Sequence, residues 1–235
     1  MNTVRDNLAS VEERILNACR RAGRDRGEVR LISVSKTKPA DVLKEAYDAG
    51  ARDFGENKVQ EILQKAPLLP EDIRWHMIGH LQTNKVRQVV PYAAMIHSID
   101  SEKLARAVSL EAEKLGCRIP VLVEVNMAGE ESKFGLSPDE TEEFIRSIAP
   151  LPGIEVKGLM TIAPYTEDPE TNRPYFAALK ELCLDINRKS INNVDMYELS
   201  MGMTGDFEVA VEEGATFIRV GTGIFGERIY AGQGQ

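Results

Sequence analysis

A lysine follows the first apolar run of the chain, in the sequence VSKTKP, and its amine is the first candidate for chemistry. Lys36 has the same alternating parity as Ile32 and Val34, so we predict that it is the last residue of a β-strand and points into an apolar cavity. A poorly hydrated amine there could attack an aldehyde and form a Schiff base. The alternative is a rim lysine whose charge reaches solvent, which the neighbouring Lys38 fits better.

Two glycine-rich segments follow the last two apolar runs, SMGMTGD at 200–206 and GTGIFG at 221–226. Glycine allows backbone N–H groups to approach an anion, and the hydroxyls of Ser200, Thr204 and Thr222 add donors. Thr204 is also predicted to cap the helix that follows it. Each segment alone is equally well explained by turn chemistry. Together with a strand-end lysine, they predict a site for a phosphorylated aldehyde, and pyridoxal 5′-phosphate is the leading candidate.

Arg219 lies inside the last apolar run, FIRVG, where a guanidinium needs an acceptor or a carboxylate. The pyridine nitrogen of the cofactor is one such acceptor. Because arginine keeps its proton, it would donate a hydrogen bond and leave the ring a weaker electron sink than an aspartate would. An ion pair with Glu124 or Glu198 is the alternative.

The remaining polar residues of the same rim are less specific. Asn57 follows the second apolar run and could contact the cofactor ring, but with Gln60 it also forms a plausible helix-capping pair. The three histidines have no metal-ligand spacing supported by carboxylates, so we predict structural roles and no metal site; they are His76, His80 and His97. The SKFG segment at 132–135 is expected to be a solvated loop.

Strand-like and helical segments alternate along the chain after an amphipathic N-terminal helix that is predicted to end near Arg21. Alternation of this kind predicts parallel strands joined by crossover helices, and eight such units match the size at which a sheet closes. We therefore predict a (β/α)8 TIM barrel, with an open doubly wound sheet as the alternative. The eight predicted strands are Leu31–Val34, Arg52–Phe54, Arg74–Ile78, Met95–Ile99, Val121–Val125, Val156–Met160, Met196–Leu199 and Phe217–Val220.

Helix signals support these crossovers. We predict Pro39 in the first turn of one helix with Gly50 after its end, a capping box that begins at Ser137, and a helix from near Ser101 to Gly116. The division of the chain predicted from these signals is one domain over 1–235, with an N-terminal helix at 1–28, a barrel at 29–228 and a tail at 229–235.

Composition limits the partners and the compartment. The 29 basic and 37 acidic residues give a net charge of −8, which disfavours nucleic acid and anionic lipid as partners. The three cysteines, Cys19, Cys117 and Cys183, are far apart and have no metal-ligand spacing, which favours reduced thiols. With no signal peptide and no membrane-spanning apolar run, the expected location is cytoplasmic.

Several motifs resemble the YggS/PROSC family of pyridoxal phosphate homeostasis proteins. They are VSKTKP around Lys36, FGENKVQE (54–61), WHMIGHLQTNK (75–85), SKFG (132–135), GLMTIAP (158–164), ELSMGMT (198–204) and IRVGTGIFGER (218–228). The resemblance implies a single-domain barrel similar to the N-terminal domain of alanine racemase. It also implies cofactor-binding roles, with Lys36 as the Schiff-base lysine, Asn57 near the ring, Arg219 beside the pyridine nitrogen, and Ser200, Gly221 and Thr222 around the phosphate.

The same resemblance implies a monomeric carrier of pyridoxal 5′-phosphate without catalytic residues, with PLP-dependent apo-enzymes as candidate recipients. A racemase of this barrel type needs a tyrosine from a second domain, and only 16 residues follow Arg219 in this sequence, among them Tyr230. An amino-acid racemase of weak activity is thus the second hypothesis. A colourless Schiff-base aldolase or sugar-phosphate enzyme is the third.

Overall fold

The computed structural model describes residues 3–130 and 132–227, which build a closed barrel of parallel strands β1 to β8. Neighbouring strands in the barrel are also neighbours in the chain, and β8 returns to pair with β1. The predicted tail at 229–235, with Tyr230, lies outside the described residues. The strands are β1 Arg30–Val34, β2 Asp53–Glu56, β3 Arg74–Met77, β4 Ala93–Ile99, β5 Ile119–Glu124, β6 Ile154–Met160, β7 Val194–Met203 and β8 Phe217–Val220.

Helices connect the strands and cover the outside of the barrel. They are α1 Val4–Ala22, α2 Ala40–Asp48, α3 Val59–Lys65, α4 Val86–Val89, α5 Glu102–Lys114, α6 Pro138–Ile148, α7 Arg173–Arg188, α8 Phe207–Glu212 and α9 Thr222–Phe225. Among the described residues, no helix is long and apolar enough to cross a membrane.

Closure of the sheet confirms the predicted barrel and excludes the open sheet. Arg30 on β1 pairs with Phe217 on β8, and Ser33 pairs with Val220. Each predicted strand coincides with an observed one. The largest difference is at β7, which was predicted to end at Leu199 but continues to Met203 through a register irregularity beyond Ser200. The loop that follows β7 therefore begins several residues later than the sequence pattern indicated.

Side chains point alternately to the two faces of each strand, and this creates two separate apolar regions. Side chains on the outer face pack against the helices and form most of the core. Those on the inner face fill the barrel interior, which contains Ile32, Val34, Ile78, Met95, Leu122, Met160 and Phe217. Because strand side chains alternate, polar residues two positions from these also face the interior. Burial of one large apolar side chain stabilises the fold by roughly 1.5–3 kcal/mol.

The N-terminal helix α1 attaches to the helices that follow the last two strands. Its apolar face, with Val11 and Ile15, is buried, and a capping box on Thr3 begins the helix. Asn7 donates to the carbonyl of Ile224 in α9 at 2.9 Å. Arg21 bridges Glu208 and Glu212 of α8. The helix thus packs against the helices that follow both glycine-rich loops, on the outside of the barrel.

The four predicted helix signals have mixed outcomes. The capping box at Ser137 is present with Pro138 in the first turn. Pro39 stands one position earlier than predicted, as the residue that precedes α2, and α5 runs from Glu102 with Gly116 beyond its end at a positive φ of 66°. The capping pair at Asn57 was wrong, because α3 begins at Val59 and its N-cap residue is Lys58.

The cysteines are free thiols. Cys19 and Cys183 are buried in the outer layer, whereas Cys117 is exposed. Burial raises the pKa of the Cys183 thiol to about 12, which makes this thiol a poor nucleophile at neutral pH.

Candidate functional site

Lys36 lies in a tight turn just past β1. The strand ends at Val34, so the prediction that Lys36 is the last strand residue was wrong by two positions. The amide of Lys38 donates to the carbonyl of Ser35 at 3.1 Å, and Thr37 takes a positive φ of 66°, which a non-glycine residue rarely adopts. Lys36 is half-buried at the C-terminal end of the barrel, where active sites of this fold lie.

Both neighbours of Lys36 are held by a cluster of polar and charged side chains behind the turn. We call this cluster the Lys65 network, and its members are Ser35, Glu56, Glu61 and Lys65. The Lys65 ammonium contacts Glu56 at 2.7 Å and Glu61 at 2.8 Å, and it donates to the carbonyl of Ser35 at 2.9 Å. The Ser35 hydroxyl donates to Glu56 at 2.7 Å. Glu61 accepts the amide of Thr37 at 2.6 Å. These contacts fix the backbone on either side of the lysine.

The loops after β7 and β8 meet at one oxygen atom. Thr204 Oγ1 accepts hydrogen bonds from the amides of Gly221 and Gly223, at 3.3 Å and 3.4 Å. Two amides that converge on one oxygen form a cradle of the kind that suits a phosphate oxygen. Thr222 lies between these glycines and is exposed. The predicted capping role of Thr204 was wrong, because α8 has Asp206 at its N-cap position.

This cradle lies beside the end of β1. A Cβ atom at Gly221 would stand 3.3 Å from the carbonyl oxygen of Val34, two residues before Lys36. Gly202, near the end of β7, has a φ of 87°, and a Cβ atom at this position would clash with Ala210 and Phe207. Gly221 therefore allows the start of the loop after β8 to approach β1, and Gly202 allows β7 to approach α8. The lysine turn and the cradle share one side of the mouth.

Arg219 is buried in the barrel interior with 5% of its surface exposed. Its guanidinium donates to Ser200 Oγ at 2.6 Å and to the carbonyl of Thr161 at 2.8 Å. Burial lowers the pKa of Arg219 to about 10, against the opposing charges of Asp206 and Glu124. Within the part of the chain that the structure describes, no carboxylate forms an ion pair with it.

The predicted ion-pair alternatives for Arg219 are therefore not formed. Glu198 pairs with Arg30 at 3.0 Å instead. Glu124 is buried at the end of β5, and its Oε2 has no hydrogen-bond partner. Burial, together with the charge of Asp100, raises the pKa of Glu124 to about 7, although Arg219 opposes the shift. A guanidinium without a carboxylate partner is the kind of buried donor that an uncharged ligand acceptor can satisfy.

Ser200 was predicted to bind phosphate, but its contacts lie deeper in the barrel. The residue is fully buried, and its hydroxyl contacts Arg219 and Nδ1 of His97, the latter at 2.9 Å. It therefore does not belong to the cradle around Gly221. The extension of β7 to Met203 explains the difference, because it leaves Thr204 as the first hydroxyl of the loop.

Asn57 is half-buried in the segment after β2. A Cβ at Gly79, after β3, would stand only 2.6 Å from the carbonyl oxygen of Asn57, so these two loops lie in direct backbone contact. The SKFG segment is more structured than predicted, because Phe134 stacks on His80 with ring centroids 4.0 Å apart. Phe134, Lys133 and Glu124 line a pocket of about 170 Å³ beside the mouth.

The three histidines do not form a metal site. In the described ranges, 3–130 and 132–227, no group of three ligating side chains could hold a metal ion. His80 lies on the rim, 3.2 Å from Asp100. His76 and His97 face each other inside the barrel with Nδ1 and Nε2 2.9 Å apart. Sequence reasoning missed this interior pair because nothing in local spacing shows that two strands bring these rings together.

Comparison with known proteins places the chain in a family. The model of the alanine racemase N-terminal domain matches residues 7–229. The chain is 47% identical over 226 residues to the pyridoxal phosphate homeostasis protein of Aquifex aeolicus, a match that covers 96% of this chain and 98% of that protein. The chain belongs to the pyridoxal phosphate homeostasis protein family.

Two solved structures extend this finding. The structure of PipY from Synechococcus elongatus with PLP bound is 36% identical, with a TM-score of 0.82 over 95% of this chain and all of that one. Alanine racemase of Clostridium difficile is 13% identical, with a TM-score of 0.76 over 98% of this chain and 58% of the racemase. At that identity the racemase shows a shared fold alone.

Proposed function

We propose that this protein binds pyridoxal 5′-phosphate in the mouth of its barrel, holds it as a Schiff base on Lys36, and acts as a carrier of the cofactor without robust catalysis. The observation that carries the proposal is the meeting of three features at one mouth: the Lys36 turn beside β8, the cradle at Thr204, and the buried guanidinium of Arg219. When bound, the cofactor supplies an aldehyde that condenses with a lysine amine, with loss of water.

The Lys65 network prepares Lys36 for that bond. It anchors the backbone at Ser35 and Thr37, so the base of the lysine side chain is held at the mouth. Proximity of a held amine to a bound aldehyde favours the covalent bond over free exchange.

Gly221, Thr222 and Thr204 hold the phosphate. The amides of Gly221 and Gly223 converge on Thr204 Oγ1 in the ligand-free protein, and a phosphate oxygen would replace that atom as their acceptor. The displaced Thr204 hydroxyl would then donate to the phosphate. Because the net charge is −8, these local donors offset an unfavourable overall field. Ser200 holds Arg219 in this proposal and has no phosphate contact.

Arg219 donates to the pyridine nitrogen, and Asn57 lies near the ring. A guanidinium that donates without giving up its proton leaves the nitrogen unprotonated, which weakens the ring as an electron sink. Such an environment favours binding of the cofactor over its use in catalysis. The relatives' name, pyridoxal phosphate homeostasis protein, agrees with a role in cofactor supply to PLP-dependent apo-enzymes.

A spectroscopic experiment tests the proposal. Purified protein is incubated with pyridoxal 5′-phosphate, its visible spectrum is recorded before and after borohydride reduction, and the modified peptide is mapped by mass spectrometry. We expect a yellow protein with the label on Lys36 and no visible band for Lys36→Ala. Lys58→Ala, which removes an exposed lysine of the same rim, is the matched control and stays yellow.

Two results would contradict the proposal. A wild-type protein that stays colourless with added cofactor would refute binding. Solvent deuterium appearing at Cα of alanine at a racemase-like rate would refute the carrier role and favour the racemase alternative.

A further inference from the structure

Five polar side chains form one continuous hydrogen-bonded line through the barrel interior. From the mouth inward they are Arg219, Ser200, His97, His76 and Asp53, which we call the interior relay. The contacts are 2.6 Å from Arg219 to Ser200, 2.9 Å from Ser200 to His97, 2.9 Å between the rings, and 3.0 Å from His76 to Asp53. The relay joins four strands of the barrel, namely β8, β7, β4 and β3, to a fifth, β2.

The chemistry of Arg219 sets the direction of every bond in the relay. A guanidinium has no acceptor, so Ser200 Oγ accepts from it. The Ser200 proton then goes to Nδ1 of His97, the other partner of that hydroxyl. His97 must consequently carry its proton on Nε2 and donate to Nδ1 of His76. His76 in turn donates from Nε2 to Asp53.

The reverse direction leaves a buried proton without an acceptor. If His97 donated to Ser200, that hydroxyl would receive two hydrogen bonds, and its own proton would have no acceptor among the contacts of a fully buried residue. Burial, with the neighbouring His76 and Arg219 acting in the same direction, lowers the pKa of His97 well below its usual value. A neutral His97 fits the direction derived from Arg219.

Both ends of the relay are fixed. Asp53 begins β2 at the end of the barrel opposite the mouth, where Arg74 holds its two oxygens at 2.7 Å and 2.5 Å. Burial would raise the pKa of Asp53, but hydrogen bonds from Arg74 and His76 outweigh it and hold the pKa well below its usual range. The ring of Phe217 lies against both histidines, with centroids 5.6 Å and 5.3 Å away, which restrains them laterally.

We propose that His76 and His97 are positioning residues, which aim the guanidinium of Arg219 at the bound cofactor by linking it through Ser200 to the Asp53 carboxylate. The inference rests on the proposed function, since it concerns what Arg219 does toward pyridoxal 5′-phosphate. The relay lets Arg219 be held by a neutral hydroxyl and a carbonyl at the mouth, while the carboxylate that ends the relay, Asp53, lies at the far end of the barrel. A carboxylate beside Arg219 would compete with the ligand for the same donors.

The first test needs no cofactor. Long-range ¹H–¹⁵N NMR of the ligand-free protein at pH 7 reports the proton positions of each imidazole. We expect His76 and His97 both to be neutral with the proton on Nε2. A doubly protonated His76, or a proton on Nδ1 of His97, would overturn the relay.

The second test compares substitutions in the relay. His97→Gln keeps one acceptor and one donor, whereas His97→Leu removes both, and Ser200→Ala removes the hydroxyl with little change of volume. We expect His97→Leu and Ser200→Ala to raise the dissociation constant for pyridoxal 5′-phosphate about tenfold and to shift the visible band, with His97→Gln near wild type. His80→Leu, on the rim, is the matched control.

The outcomes separate the two proposals. If wild-type protein fails to bind the cofactor, the proposed function fails and the positioning role fails with it. If wild-type protein binds but His97→Leu and Ser200→Ala retain its affinity and spectrum, the positioning role alone is overturned. Should His97→Leu fail to fold, Ser200→Ala and the NMR result still decide the question.

Discussion

Two buried polar networks support the candidate site, and they differ in place, charge and purpose. The Lys65 network lies in the outer layer between β2 and α3, where one ammonium contacts two carboxyl groups at 2.7–2.8 Å. Burial raises the pKa of Glu56 to about 7, although Lys65 opposes the shift. The interior relay lies inside the barrel and carries the connection between its charged ends through a hydroxyl and two imidazoles. The first fixes backbone on either side of Lys36, and the second fixes a side chain, Arg219.

The difference follows from the roles that we propose for the two residues. A covalent attachment point needs a fixed Cα and a movable amine, so its support is on the backbone. A donor to a ring nitrogen needs a fixed guanidinium, so its support is on the side chain itself. In the outer layer the buried ammonium is paired directly with carboxyl groups, whereas neutral links avoid the desolvation cost of further charges in a closed interior.

The largest effect on stability is expected where a charge loses its partner. Lys65→Met leaves Glu56 buried opposite no cation, and we expect the free energy of unfolding to fall by about 3 kcal/mol. Urea denaturation measures it, with the exposed Lys58→Met as control. The double variant Lys65→Met with Glu56→Gln should recover part of the loss. A loss below about 1 kcal/mol would mean that the Lys65 network contributes little to stability, which would contradict the difference drawn between the two networks.

The buried carboxyl of Glu124 has no lysine partner, and the pH dependence of stability gives a second test of the comparison. The pKa of Glu124 is raised to about 7, so the folded protein keeps a proton that the unfolded chain has lost, and stability falls as pH rises from about 4.5 to about 7. We expect Glu124→Gln to be more stable than wild type by about 2 kcal/mol above pH 7, with the difference shrinking toward pH 4.5.

Thermal unfolding of wild type and Glu124→Gln across that pH range measures the difference. Glu143→Gln, an exposed acid on α6, is the control and should follow wild type at every pH. A constant offset between Glu124→Gln and wild type would show that the Glu124 carboxyl does not titrate in this window.

A neutral link of the relay should matter less for folding than Lys65 does. Ser200→Ala leaves a donor of Arg219 and an acceptor of His97 unpaired, and we expect a loss of about 1–2 kcal/mol in chemical denaturation. Ser10→Ala, on the exposed face of α1, provides the baseline. A loss equal to that of Lys65→Met would remove the energetic distinction between the networks.

The smallest effect on folding is expected at the cradle. Thr204→Val removes an acceptor whose two hydrogen bonds are long, so stability should change by less than about 1 kcal/mol. Affinity for pyridoxal 5′-phosphate, followed by titration of the visible band, should nevertheless fall about tenfold. Unchanged affinity would remove Thr204 from the phosphate site.

The fold was predictable because its signals are local. Strand alternation around Ile32 and Val34, glycine after helices, and the Ser137 capping box all act within a few residues of one another. The same locality explains why the sequence did not show the contacts of Ser200 with Arg219 and His97. Its assignment depended on where β7 ends, and the register irregularity beyond Ser200 is set by pairing with β8.

The interior relay was invisible for a related reason. His97 and Ser200 are 103 positions apart, and their contact exists only because the barrel closes. Chain spacing could not show that two of the histidines belong to one hydrogen-bonded series with Arg219. Contacts across a closed sheet carry no periodic signature in the sequence.

The attachment of α1 to α8 and α9 has a consequence for synthesis. Asn7 and Ile224, which are hydrogen-bonded in the structure, are separated by 217 positions in the chain. Strand β1 likewise cannot pair with β8 until β8 has been synthesised. At roughly 5–20 residues per second on the ribosome, the apolar face of α1 remains uncovered for about 10–40 seconds before its partner helices emerge. Closure of this barrel consequently depends on late, long-range contacts, and its first helix is exposed to misassociation or chaperone capture during translation.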